Sequence, residues 1–143
     1  MANIVFKELG FPVLLVDVPV VEIRGEQVPD VNLKALQDSV FTLLVTKPSR
    51  LTGAEVRFIR KHLRLRQADL AQVLNMANHS VVSQWESRED ALTGMDYNTE
   101  VLLRLWMAAK SGRAHQLVEL LESRLKNLEA VGGVLEVPTP HAA

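Results

Sequence analysis

The chain has 143 residues, 48% of them apolar and 23% charged, with 16 Lys+Arg against 17 Asp+Glu and no Cys. This length holds one ordinary domain or two small ones, the apolar share excludes wholesale disorder, and the missing Cys excludes disulfides, thiolate zinc sites, iron–sulfur clusters and Cys nucleophiles. Residues 1–46 carry 3 basic and 6 acidic side chains, residues 47–88 carry 8 and 3, and residues 89–143 carry 5 and 8, so net charges of −3, +5 and −3 hide beneath a total of −1.

Read along the chain, the first 30 residues predict strands. Pro12 to Val18 and Val20 to Ile23 are rich in β-branched residues and are bracketed by Gly10, Pro12, Pro19, Gly25 and Pro29, the signature of a small antiparallel sheet. The longest apolar run, Phe11 to Ile23, is broken by Asp17, Pro19 and Glu22 and falls short of the ~20 residues of a membrane span. The first residues lack the pattern of a secretory signal, so a cytoplasmic location is expected. Asn32 to Val45 reads as a helix, with Leu33, Leu36, Val40, Leu43 and Leu44 at helical spacing and Asp30 or Asn32 as cap. Pro48 stops it and marks a domain boundary.

A helical array follows. Thr52 and Glu55 form a capping-box pattern opening a helix to about Leu63. Val56, Ile59 and Leu63 make its inner stripe, and Arg57, Arg60, Lys61 and Arg64 an adjacent basic one. Further helices are expected at about Gln67 to Leu74, His79 to Ser87, Tyr97 to Lys110 and Ala114 to Ala130. The expected class is α+β: a small N-terminal β-sheet plus helix over residues 1–48, a five-helix all-α domain over 49–131, and a flexible tail over 132–143.

The stretch from Gln67 to Glu86 contains Leu70-Ala71, Leu74 and then Val82-Ser83-Gln84-Trp85-Glu86. Ala71 is small where two helices must cross closely, and Leu70, Leu74 and Val82 are apolar where they face a core. This pattern resembles the helix-turn-helix of the Cro/phage-repressor superfamily. Two features depart from it: Asn75 stands where the turn usually has glycine, and one extra residue lies between Ala71 and Glu86. More widely, Leu51 to Lys61, Leu102 to Trp106, and the upstream Gly10 to Val20 with Gly25-Glu26 resemble MqsA/YgiT-type antitoxins. That family's N-terminal domain normally binds zinc through two Cys-x-x-Cys pairs, which this chain lacks, so no metal or cofactor is expected and the sheet must hold by apolar packing.

The resemblance implies a sequence-specific DNA-binding transcriptional regulator, a repressor, that reads a palindromic operator as a homodimer and serves as the antitoxin to a toxin protein. Anchored on Ser83, Trp85 and Glu86, it places Ser80 and Gln84 at base-contacting positions, with Asn78 and His79 next to them. Asn78 and Ser80 have an alternative role as ordinary helix caps. Gln67, Ser83 and Arg88 suit phosphates, and Arg57, Arg60, Lys61 and Arg64 supply salt-dependent affinity unless they pair with Glu55 or Asp69. Leu117, Leu121, Leu125 and Leu128 form a stripe for a dimer interface or for packing on the preceding helix. No catalytic triad, phosphate loop or His cluster is evident, so an enzyme is not expected. The competing readings are a protein-interaction module that neutralises a partner with little DNA binding, and a regulator whose N-terminal sheet senses a ligand.

Overall fold

The computed structural model describes residues 2–113 and 134–138. Two compact units divide the chain, Met1–Val40 with Gly133–Ala143, and Phe41–Gly132. The class is α+β, with strands confined to the first unit and helices filling the second.

In the first unit, β1 (Ala2–Phe6) and β2 (Val13–Val18) pair antiparallel. Val13 and Leu15 alternate inward with period two and are fully buried. The pairing slips between Ala2↔Val18 and Ile4↔Leu15, which makes a β-bulge. Asp17 takes the left-handed backbone there, at φ +52°, and its amide donates to Asn3 Oδ1 at 3.0 Å. The extra residue brings Val18 to the buried side, three positions after Leu15 instead of two. β3 (Val20–Ile23) and β4 (Glu26–Pro29) form a separate two-stranded ribbon. Arg24 and Gly25 turn it with φ of +53° and +82°, the doubly left-handed geometry that matches the natural strand twist.

The expected single antiparallel sheet is therefore two sheets, and the expected flexible tail is not free over its whole length. Leu135–Pro138 forms β5, which pairs parallel to β2 and completes the order β1-β2-β5. Val137 is fully buried. Pro138 is compatible with this strand because β5 lies at the sheet's edge, where a missing amide costs nothing.

α1 (Leu33–Val45) is capped by Asn32, whose Oδ1 accepts from the Ala35 amide at 3.0 Å. The division between units falls within this helix, after Val40.

The second unit holds α2 (Gly53–His62), α3 (Gln67–Val73), α4 (Ser80–Ser87) and α5 (Tyr97–Lys110). The predicted capping box opens α2: Thr52 Oγ1 accepts from the Glu55 amide and Glu55 Oε1 from the Thr52 amide. Glu55 also binds Lys47 Nζ at 2.7 Å in a buried pair. α2 and α3 both end on a left-handed non-glycine residue, Arg64 at φ +58° and Asn75 at φ +57°. In each case the next amide reaches back to an uncapped carbonyl, Leu65 to Arg60 at 3.0 Å and Met76 to Ala71 at 2.8 Å. Asn75 thus does the work of the usual turn glycine, because Asn tolerates this region better than most residues. Leu51, Val56, Ile59, Leu70, Leu74, Val82, Leu103 and Met107 make the core of this unit.

Gly53 marks the closest approach of α2 to α4. A Cβ there would lie 2.4 Å from the Trp85 carbonyl oxygen and 2.8 Å from the Glu89 nitrogen. Backbone atoms cannot step aside as a flexible side chain does. Gly53→Ala is expected to destabilise the unit by about 1–3 kcal/mol, seen as a lower urea midpoint by tryptophan fluorescence; an unchanged midpoint would mean α4 shifts freely. The two tryptophans, Trp85 and Trp106, both lie in this unit, so the signal reports on it alone.

Candidate nucleic-acid interface

α4 has two unlike faces. Val82, Trp85 and Glu86 are buried, whereas Ser80, Ser83, Gln84 and Ser87 are exposed. The spacing of 80, 83, 84 and 87 is that of one helix face. This face carries three hydroxyls and one amide and no charge. α3 lies against α4 and turns Leu70, Ala71 and Leu74 inward.

The residues expected to read bases do not stand alike. Gln84 and His79 are exposed. Asn78 stands just before α4, and its Oδ1 accepts from the Ser80 amide at 2.9 Å and from the Ser80 hydroxyl. Its oxygen is thereby engaged by Ser80 within the protein. α4 starts at Ser80 rather than His79. An open depression lined by Ala68, Gln72, Met76 and His79 lies between the end of α3 and the start of α4.

The residues expected to meet phosphates also divide. Lys61, Arg64, Ser83 and Arg88 are exposed. Arg57, Arg60 and Gln67 converge on Glu86, a carboxylate only 2% exposed. Arg60 holds it with two bonds, Nε to Oε2 at 2.6 Å and Nη2 to Oε1 at 2.9 Å, and also donates to the Leu65 carbonyl at 3.0 Å. Gln67 Nε2 reaches Oε1 at 3.3 Å, and Arg57 Nε stands 3.7 Å from it. Glu86 therefore ties α2, α3 and α4 together. Arg57 goes further, donating to the Glu86 carbonyl at 2.9 Å and to Glu89 at 2.8 and 3.1 Å. The bonded Glu89 carboxylate raises the pKa of Arg57, and the same contact holds the Glu89 carboxyl below its usual range.

The pairing expected from sequence differs in its partners. Glu55 takes Lys47, and Asp69 takes Arg66 at 3.0 Å. Arg57 and Arg60 instead answer to Glu86 and Glu89, a role of these carboxylates that sequence reasoning missed. The available signal was an acidic residue on the inward side of α4, two places from Gln84 and next to Trp85. Trp85 is 7% exposed and belongs to the core. Trp106 is half-buried, with Lys110 Nζ 5.4 Å from its ring centroid.

Leu117, Leu121, Leu125 and Leu128, with the whole expected helix from Ala114 to Ala130, lie outside the described residues. Among the described residues no group of His, Asp and Glu is placed to hold a metal ion. None of their helices is long and apolar enough to cross a membrane. No protein-family model matches the chain, and neither the curated proteins nor the solved structures provide a match.

Proposed function

We propose that the chain is a sequence-specific DNA-binding transcriptional regulator, acting as a repressor through insertion of α4 into the major groove. The observation that carries this reading is the outward face of Ser80, Ser83, Gln84 and Ser87 on a helix anchored by buried Val82, Trp85 and Glu86. A rigid helix with a wet, hydrogen-bonding outer face fits a groove lined by donors and acceptors. His79 supports the start of that face, and Lys61, Arg64 and Arg88 are suited to phosphates. One such helix reads only a few base pairs, so the working form is a homodimer on a palindromic operator, its half-sites about 34 Å apart. In this reading the chain also serves as an antitoxin. The net charge of −3 over residues 1–46 favours a basic toxin partner for the first unit.

The test is selection of a duplex from a random pool, followed by titration of wild type and Gln84→Ala. A bidentate Gln–adenine contact predicts a loss of about 1–3 kcal/mol, roughly fivefold to over a hundredfold, on the selected duplex and little change on random DNA. Equal loss on both would remove Gln84 from base readout. Absence of binding to any duplex at low salt would favour the interaction module.

A further inference from the structure

The contacts of Arg57 set it apart from the other paired cation of the basic stripe, Arg60. The Arg60–Glu86 pair is sealed, with side chains 13% and 3% exposed. The Arg57–Glu89 pair is open, at 32% and 59%. Arg57 offers Glu89 its two-pronged edge, Nη1 to Oε2 at 3.1 Å and Nη2 to Oε1 at 2.8 Å. A phosphate presents the same pair of oxygens to a guanidinium.

Glu89 is held in position by its backbone. It sits directly after the Arg88 cap of α4, in the left-handed region at φ +50°, where glutamate is uncommon. Its amide donates to the Glu86 carbonyl at 3.3 Å, and its carbonyl accepts from the Ala54 amide at 2.9 Å. Next to it, the Ala91 carbonyl accepts from the Gly53 amide at 3.2 Å. The first two amides of α2 are thus satisfied by the loop after α4, and it is the Arg57 side chain, not the start of α2, that is available to an anion.

We propose that Glu89 occupies the Arg57 guanidinium in place of a DNA phosphate, and that binding exchanges the carboxylate for the phosphate. This rests on the DNA-binding reading and specifies how that site is regulated. The exchange is easy in energy because an exposed ion pair contributes little. Its benefit is order: Arg57 is already extended at the end of α4, anchored on the Glu86 carbonyl, before DNA arrives. Its cost is competition, which lowers affinity for every duplex alike and leaves base readout by α4 to decide where the protein stays.

The test uses the full chain, the selected duplex and a random duplex, titrated between about 50 and 200 mM salt. Glu89→Gln is expected to tighten binding to both duplexes by about fivefold, with Glu89→Ala as a second variant. Asp90→Asn, which removes a neighbouring charge of the same sign, is expected to change binding by less than about twofold. Arg57→Gln is expected to reduce the slope of log affinity against log salt by about 0.9, the loss of one phosphate. On the Arg57→Gln background, Glu89→Gln should bring no gain. A gain that persists without Arg57 would overturn the exchange, as would an unchanged salt slope in Arg57→Gln. Wild type that binds no duplex overturns the DNA-binding reading and the exchange with it; wild type that binds while Glu89→Gln is inert overturns the exchange alone.

Discussion

Arg104→Ala is expected to destabilise the helical unit by about 3–5 kcal/mol, the range for removing one partner of a buried ion pair. Arg104 is fully buried. Its Nη1 donates to the Lys47 carbonyl at 2.6 Å and the Val45 carbonyl at 3.4 Å, and its Nη2 to the Ser49 carbonyl at 2.5 Å and Glu100 Oε2 at 2.9 Å. One guanidinium thus satisfies the carbonyls that α1 and the segment after it would otherwise leave without partners. Burial pulls its pKa below the usual value, and the Glu100 carboxylate opposes that pull. Its Nε is buried without a partner, so the site already carries one uncompensated donor. Alanine would leave three carbonyls short of a donor. It would leave Glu100 with Arg50 Nε at 3.0 Å and the Leu51 amide at 3.2 Å, both on Oε1, and nothing on Oε2. Urea unfolding followed by tryptophan fluorescence measures the loss. Arg104→Met with Glu100→Gln should recover part of it, because both fully buried charges are removed and only Arg50, 23% exposed, loses a carboxylate partner. A change below about 1 kcal/mol in Arg104→Ala would show that water replaces the guanidinium without penalty.

The second large effect is expected at Glu86. Glu86→Ala should destabilise the unit by about 3–5 kcal/mol and, under the proposed DNA-binding function, abolish duplex discrimination. Arg60, 13% exposed, would face a cavity, and Gln67 would lose its acceptor. Glu86→Gln keeps the shape and an acceptor oxygen but removes the charge, so a smaller loss of about 1.5–3 kcal/mol is expected. The informative measurement is the ratio of affinities for selected and random duplexes. Arg57 and Arg60, released from the carboxylate, raise attraction to any phosphate, while α4 loses the tie that aims it. The ratio should therefore fall while binding to random duplex rises. An unchanged ratio in a folded Glu86→Gln protein would mean that packing of Val82 and Trp85 alone sets the orientation of α4.

Much of the helical unit was legible before any coordinates. The spacing of Leu70, Ala71, Leu74 and Val82 placed α3 and α4 with ends within one residue, because these positions are chosen by contacts a turn or two away. The Thr52–Glu55 box was legible for the same reason, as its partners are three residues apart. Asn75 was marked by standing where the motif it resembles has glycine, and its φ of +57° is the left-handed geometry such a position needs. The sheet was less legible. β1 is short and carries no turn signal that distinguishes it, and β5 pairs with β2 from more than a hundred residues downstream. Four residues ending in proline read as a tail until a neighbouring strand supplies their hydrogen bonds.

The partners of the basic stripe were not legible, and they are what defines the candidate interface. Arg60 and Glu86 are 26 residues apart, and Arg57 and Glu89 are 32. No local rule separates a guanidinium free for DNA from one held by a carboxylate on the next helix. Arg104 carries the same lesson: within Leu102-Leu103-Arg104-Leu105-Trp106 it reads as a polar interruption, yet it lies deeper than its neighbour Leu102, which is exposed. By itself the amino-acid order determined where helices begin and end and which of their faces turn inward, since backbone capping and apolar periodicity act over a few residues. Only the tertiary structure decided which charges cancel and which carbonyls the buried arginine serves, since those outcomes depend on helices that meet after the chain has folded back on itself.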